Sequence, residues 1–106
     1  MGCPKNFSTH GGMGAALLKM PDVAVDILSS LVREFPQLAV TCKIRLLETT
    51  DATVALMKRL EATGVRAIAV HAREKHERPV DRAHWDALRA VVEAGTRVMV
   101  APICIV

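Results

Sequence analysis

The sequence predicts an α/β fold with a parallel sheet, and two observations carry this prediction. Three short apolar segments with many β-branched residues, at residues 38–46, 66–70 and 97–101, lie roughly 30 residues apart, which is the spacing of strand–helix–strand units. The stretches between them have helical periodicity, so each connection is a helical crossover and neighbouring strands run parallel.

The chain begins with a predicted loop, followed by a short helix over residues 14–19. Residues 1–12 contain many residues that favour turns, namely Gly2, Pro4, Ser8, Gly11 and Gly12. The next helix is expected to start at Pro21, which suits a first helical turn, with Asp22 at its positive end. Apolar residues recur at every fourth position and predict one apolar helical stripe, which consists of Val23, Ile27, Leu31 and Phe35 with Leu28 and Val32 beside them. Pro36 ends this helix.

The first strand, residues 38–46, is almost continuously apolar up to Lys43, as parallel strands covered on both faces are. A helix capped by Asp51 follows, and Gly64 is placed to terminate it. We expect its inner face to consist of Val54, Met57 and Leu60.

The second strand is predicted over residues 66–70 and is followed by a polar loop over residues 72–80. Asp81 is predicted to cap a third helix, which Gly95 would end. The residues expected on the core face of this helix are Trp85, Leu88 and Val92. Residues 97–101 form the third predicted strand.

Two architectures use this order of elements. An open doubly wound sheet usually carries a glycine-rich phosphate turn after its first strand, and neither GxGxxG nor GxxxxGK[ST] occurs in this sequence. A (β/α)₈ TIM barrel places functional residues at the carboxyl ends of several strands, where Lys43 and Arg45 follow one strand and His71 and Arg73 the next. A barrel needs about 250 residues. We therefore expect the 106 residues to be a partial barrel of about three β/α units, with residues 1–12 as its active-site loop.

Composition narrows the functional classes. One Trp, two Phe and no Tyr argue against a platform that stacks RNA bases, and a net charge of +3 permits a nucleic-acid partner without requiring one. Three widely spaced cysteines without a CxxC pair, and no visible signal peptide, predict a reduced cytoplasmic setting. No apolar run reaches the ~18 residues that span a bilayer. The histidines and cysteines do not have metal-ligand spacing, so no metal is expected.

Lys43 is the most informative residue for function. An ammonium within an apolar strand is costly to bury unless it meets an anion or a strong acceptor, so Lys43 is a candidate ligand for a negatively charged group. The end of the second strand adds His71, and the N-terminal loop adds Cys3 between Gly2 and Pro4. These three residues suggest a barrel segment that holds a cofactor and does acid chemistry with a cysteine.

Three blocks of the sequence resemble the tRNA-dihydrouridine synthases. The first is Met1-Gly2-Cys3-Pro4-Lys5 with the glycine-rich run 11–18, which resembles the active-site loop of that family. The second is Thr41-Cys42-Lys43-Ile44-Arg45, and the third is the His-x-Arg motif within residues 69–73. The residues of the first two blocks are most similar to those of the eukaryotic branch that modifies position 20 of the D-loop.

The resemblance implies an oxidoreductase that reduces uridine in tRNA to 5,6-dihydrouridine, with flavin mononucleotide (FMN) as cofactor and NADPH as reductant. It also implies roles for four residues. Cys3 corresponds to the acid that protonates C5 of uracil, and Lys43 and His71 correspond to the flavin-contacting lysine and histidine. Arg73 lies next to the same site and is a candidate for contact with substrate. A thiol acid must stay protonated, so we expect Cys3 to avoid a strongly electropositive pocket.

The sequence departs from the family after the third strand, where the Asn-Gly loop and the later phosphate loop that hold the flavin phosphate do not appear. The family's helical tRNA-binding domain does not appear either. Two alternatives therefore stand beside the enzyme: a truncated, inactive barrel fragment that cannot hold flavin, and a flavin oxidoreductase acting on a free pyrimidine. A stand-alone RNA-binding module is disfavoured by the few aromatic residues and by the mixture of basic and acidic ones.

Overall fold

The computed structural model describes residues 1–94 and 99–103, and over this part of the chain four α-helices, one 3₁₀ helix and three strands follow one another. Their bounds are α1 Asn6–His10, the 3₁₀ helix Gly14–Lys19, α2 Pro21–Glu34, β1 Thr41–Leu46, α3 Thr50–Glu61, β2 Ala67–Glu74, α4 Trp85–Glu93 and β3 Met99–Ile103. The predicted alternation of strands and helices is confirmed, and the 3₁₀ helix occupies the range predicted for a short helix.

The strands form a parallel sheet in the order β1-β2-β3, so β2 is central within the described residues. Lys43 pairs with Ala69 and Arg45 with His71, which brings the charged ends of β1 and β2 side by side. The register shifts between Arg45 and Leu46, and Leu46 pairs with Glu74. An irregularity of this kind redirects side chains at the end of a ladder.

Helices pack on one face of the sheet and build the core there. Cys42 and Ile44 of β1 and Ile68 and Val70 of β2 belong to one cluster with residues of all three longer helices, among them Leu28, Met57, Leu60 and Leu88. Thr41 and Lys43 alternate with these residues and are exposed. The expectation that both faces of the first strand are covered is therefore wrong for β1, whose second face is open at Thr41 and Lys43.

Helix α2 begins at Pro21 and ends before Phe35, as predicted, but the predicted apolar stripe is buried only along its flank. Val23, Ile27, Leu31 and Phe35 are each 40 to 44% exposed, and the helix buries Ala24 and the predicted flanking residue Leu28. The helix has two apolar faces, because residues at positions 24 and 28 lie on a different face from those at 23 and 27. The sequence pattern alone does not tell which face meets the sheet.

Helix caps also differ from the predictions. Thr49 caps α3, accepting a hydrogen bond from the backbone N–H of Ala52 at 3.1 Å, so Asp51 lies in the first turn and is not the cap. Asp81 does not cap α4, since its carboxylate accepts the backbone N–H of Arg78 and the helix begins only at Trp85. Gly64 follows the end of α3 with φ +95°, a conformation that favours glycine.

Three further predictions need correction or fall outside the described residues. Residues 6–10 of the predicted loop are helical, and β2 continues through Glu74 into the predicted polar loop. Trp85 and Val92 are exposed, because α4 buries Leu88 and Val91 on its inner face. Gly95 and residues 97–98 lie outside the described part of the chain. Among the described helices, none is long and apolar enough to cross a membrane.

Candidate functional site

The N-terminal loop crosses the carboxyl end of β1 and holds Cys3 there. A Cβ atom added to Gly2 would lie 3.5 Å from Cγ of Arg45, so the backbone passes directly over this side chain. The carbonyl oxygen of Cys3 accepts the backbone N–H of Ala15 at 2.8 Å. Gly14 has φ +58° and a Cβ there would meet the Cys3 carbonyl oxygen at 2.5 Å, so this close approach requires glycine.

The thiol of Cys3 is exposed and accepts a hydrogen bond from the hydroxyl of Ser8, with Oγ 3.4 Å from Sγ. This hydrogen bond, followed by one from the backbone of Lys5 and by the positive charges of Lys5 and Arg45, lowers the pKa of Cys3 below its ordinary value. The charges of Lys5 and Arg45 rank below the two hydrogen bonds among these influences, so the expectation that Cys3 avoids a strongly electropositive pocket stays a prediction. A thiol of lower pKa donates its proton more readily from the protonated form, which is the form that an acid needs.

Arg45 is buried and anchors the loop that follows β2. Its Nη1 atom donates to the carbonyl oxygens of Glu74 and Glu77, each at 2.9 Å. Within this loop, the Glu77 carboxylate accepts the N–H of Glu74 at 2.6 Å and contacts Nε2 of His84 at 2.6 Å. Burial raises the pKa of the Glu77 carboxyl, but these hydrogen bonds and the histidine charges outweigh it and lower the pKa.

His71 and Arg73 form a buried pair at the end of β2, with 6% and 4% of their surfaces exposed. Nη1 of Arg73 lies 2.9 Å from Nε2 of His71, and its Nε donates to the carbonyl oxygen of Asp81 at 2.8 Å. Because a guanidinium only donates, Nε2 accepts and Nδ1 carries the imidazole proton. Burial, and then the charges of Arg45, Arg73 and Lys43, lower the pKa of His71, so this imidazole is neutral near pH 7.

Lys43 lies on the open face of the sheet, two residues before Arg45 and paired with the small residue Ala69. The guanidinium groups of Arg45 and Arg73 donate to backbone carbonyl oxygens and to His71, and they add positive charge next to the site. The donor set for a ligand consists of the exposed Lys43 ammonium and the Nδ1–H of His71. Such a set suits an anionic or oxygen-rich ligand. The residues that the sequence predicts for the site are thus brought to one end of the sheet, and the chemistry of the donors fits a flavin.

The sequence does not single out two residues that make contacts at the site, Ser8 and Glu77. The sequence predicts Ser8 as a turn residue, and the signal for its contact with Cys3 is its position five residues after that cysteine. Glu77 was one of several acidic residues in a polar loop, and no local pattern distinguishes it. In residues 1–94 and 99–103, no group of three or more His, Cys, Asp or Glu could hold a metal ion. Cys104 lies outside these residues.

Comparison with known proteins gives a family match over nearly the whole chain. The profile of the family described as "Dihydrouridine synthase (Dus)" matches residues 1–102. A protein of Schizosaccharomyces pombe named tRNA-dihydrouridine(20) synthase, with the qualifier NAD(P)+, is 49% identical over 96 residues. This alignment covers 85% of the chain and 20% of the relative.

Two further relatives give the same result. The Saccharomyces cerevisiae protein with the same name is 41% identical over 95 residues, covering 87% of the chain and 25% of the relative. A human protein named tRNA-dihydrouridine(20a/20b) synthase-like is 35% identical over 96 residues, covering 87% of the chain and 29% of the relative. The chain thus spans between 20% and 29% of the length of these curated relatives.

Proposed function

The chain belongs to the dihydrouridine synthase family, and from this premise we propose that it is the part of a tRNA-dihydrouridine synthase that carries the proton donor and one wall of the flavin site. The observation that carries the proposal is the convergence of Cys3, Arg45 and His71 at the carboxyl ends of two neighbouring parallel strands. The substrate is uridine in the D-loop of tRNA, and position 20 is favoured by the names of the two fungal relatives.

We propose that the sheet is an arc of a (β/α)₈ barrel, with the open face of β1 and β2 turned towards the barrel interior. Sequential strands that neighbour one another in the sheet support this arrangement. So do the three longer helices, which within the described residues share one core cluster with the covered face of β1 and β2. A doubly wound sheet would carry helices on both faces. In a barrel, the carboxyl ends of the strands form the active-site face.

The proposed cofactor is FMN, with NADPH as its reductant; the qualifier NAD(P)+ in the fungal names supports the latter. Flavin mononucleotide, when bound, supplies the hydride that reduces the C5–C6 double bond of uracil. We propose that the Lys43 ammonium and the Nδ1–H of His71 hold the flavin, since both are donors near the carboxyl ends of the neighbouring strands β1 and β2. A fixed positive charge next to a group that gains electrons stabilises the negative charge that develops there.

Cys3 is proposed as the acid, because its thiol is exposed at the same end of the sheet and its pKa is lowered. Its proton passes from Sγ to C5 of uracil and leaves a thiolate. Arg73 was expected to contact substrate, but it is buried and donates to Pro79, Asp81 and His71. We therefore propose that it organises His71 and the loop after β2. The partner is tRNA, and the setting is proposed to be cytoplasmic.

The experiment that tests the cofactor proposal is visible absorbance of the purified chain after addition of FMN and dialysis. We expect the chain to retain a flavin peak at ~450 nm. Lys43→Met is expected to reduce the amplitude of this peak. Lys58→Met, on the exposed side of α3, is the control and is expected to leave the amplitude unchanged. Complete loss of the peak from the unmodified chain would favour the alternative of an inactive barrel fragment.

The acid is tested by uridine reduction in tRNA with NADPH. Cys3→Ala is expected to lower the rate by roughly 10²-fold or more, the usual contribution of a positioned general acid. Cys42→Ala, which removes a buried thiol from the covered face of β1, is the matched control. A normal rate in the Cys3 variant would refute the proposed acid, and turnover of free uracil without turnover of tRNA would replace the proposed substrate.

A further inference from the structure

We propose that Ser8 is a positioning residue for Cys3, whose hydroxyl aims the thiol and stabilises the thiolate that remains after proton transfer. This inference rests on the proposed role of Cys3 as the acid and adds a second residue to it. Nothing in the family match or in the names of the relatives assigns a role to Ser8.

Helix α1 places the Ser8 side chain on its inner face and the Phe7 ring on its outer face. Within the described helix Asn6–His10, Ser8 alone is buried, with 7% of its surface exposed, whereas the neighbouring Phe7 is 73% exposed. An apolar side chain normally occupies the inner face of such a helix. A polar group in that position is stable when it has a hydrogen-bond partner, and the partner of Ser8 is Sγ of Cys3 at 3.4 Å.

The backbone fixes the two residues relative to each other. The carbonyl oxygen of Ser8 accepts the N–H of Met13 at 2.9 Å, and the carbonyl oxygen of Cys3 accepts the N–H of Ala15 at 2.8 Å. Both residues are therefore tied to one short segment, residues 13–15, which Gly14 allows to approach Cys3. The separation of the hydroxyl from the thiol is consequently a property of the folded loop.

The hydrogen bond favours the deprotonated form of Cys3. A neutral thiol is a weak acceptor, whereas a thiolate is a charged acceptor, and hydrogen bonds to charged groups are roughly twice as strong. Ser8 is the largest of the influences that lower the pKa of Cys3. When the Sγ–H bond breaks and the proton forms a bond with C5 of uracil, the electron pair stays on sulfur. The Ser8 O–H then donates to that thiolate, so its contribution is greatest as the transfer completes.

The test is the pH dependence of iodoacetamide alkylation of Cys3 in the purified chain, followed peptide by peptide by mass spectrometry. Thiolate is the reactive form, so the rate reports its fraction. Ser8→Ala is expected to move the Cys3 profile to higher pH and to lower the alkylation rate near neutral pH by roughly threefold or more. Ser8→Thr, which keeps the hydroxyl, is expected to restore the profile towards that of the unmodified chain.

Two controls separate this effect from damage to the helix. Thr9→Ala removes a hydroxyl from the same helix as Ser8, one that donates to the carbonyl oxygen of Lys5. This variant is expected to leave the pH dependence of Cys3 alkylation unchanged. Cys42 is buried and its pKa is raised by burial, so its slow alkylation reports whether the fold has opened. An unmoved profile in Ser8→Ala, or an equal movement in Thr9→Ala, overturns the proposal.

A measurement on the unmodified chain covers the case in which Ser8→Ala does not fold. The ¹³Cβ signals of Ser8 and Cys3 are followed through a pH titration, and both are expected to move with the same midpoint. A Ser8 signal that ignores the titration of Cys3 overturns the proposal. Because neither experiment uses tRNA or flavin, a normal rate of uridine reduction in Cys3→Ala would refute the acid without touching the Ser8–Cys3 contact.

Discussion

Arg73 fixes the tautomer of His71, because its guanidinium approaches Nε2 within 2.9 Å and can only donate. The imidazole is thereby left with one donor, Nδ1–H, and no charge. We expect ¹⁵N NMR of the labelled chain at pH 7 to show His71 as the Nδ1–H tautomer. Arg73→Met is expected to allow the Nε2–H form, whereas Arg66→Met, an exposed arginine just before β2, is not. A protonated imidazole in the unmodified chain would contradict this.

The lowered pKa of His71 makes stability depend on pH in a defined direction. Between the ordinary pKa of 6.5 and the lower value in the folded chain, the unfolded state binds more protons than the folded state. The free energy of unfolding is therefore fully retained above pH 6.5 and falls as the pH drops through the folded pKa. Urea unfolding of His71→Gln is expected to show a flatter dependence, with His10→Gln as the control.

Gly14 and Gly12 provide a matched pair for the cost of close packing against Cys3. Both have positive φ, +58° and +73°, but a Cβ at Gly12 would meet nothing within 4 Å. Gly12→Ala is expected to cost about 1 kcal/mol from backbone conformation alone. Gly14→Ala adds the collision with the Cys3 carbonyl and is expected to cost at least about 2 kcal/mol. Equal losses in urea unfolding would mean that the loop shifts freely.

Thr53 joins the end of β1 to α3 through a fully buried hydroxyl. This hydroxyl accepts the backbone N–H of Leu47 at 3.0 Å and donates to the carbonyl oxygen of Thr49 at 3.0 Å. Thr53→Val keeps the shape but leaves the Leu47 N–H without its acceptor, which is expected to cost roughly 1–3 kcal/mol. Thr41→Val, at an exposed position of β1, is expected to change stability by less than about 0.5 kcal/mol.

The order of elements was predictable from the sequence because strand and helix periods differ and glycine and proline mark most boundaries. Pro21 begins α2 and the left-handed Gly64 follows α3, as expected. The inner face of α2 was not predictable, since two of its faces are apolar and only packing decides between them. The cap predicted at Asp81 is wrong for a related reason, because the folded loop places its carboxylate on the N–H of Arg78 and the helix begins only at Trp85.

The candidate site was predictable in part. The sequence places Lys43, His71 and Arg73 at the ends of adjacent parallel strands, which the register of β1 and β2 now brings together. It could not predict that Arg45 and Arg73 donate hydrogen bonds to backbone carbonyl oxygens of the segment that ends β2 and follows it. Those carbonyl oxygens come within reach of the guanidinium groups only when the loop is folded. The Ser8–Cys3 contact likewise depends on the short helix α1, which the sequence does not predict because residues 1–12 contain many residues that favour turns.

The second apolar face of α2 has a practical consequence for colloidal behaviour. A net charge of +3 gives weak repulsion between molecules, whereas Val23, Ile27, Leu31 and Phe35 present a continuous hydrophobic strip to water. This strip is the longest run of exposed apolar residues on one described helix, beside single exposed residues such as Phe7 and Val80. Substitution of Ile27 and Leu31 by polar residues is expected to reduce self-association of the chain. These substitutions leave the residues at the ends of the strands unchanged.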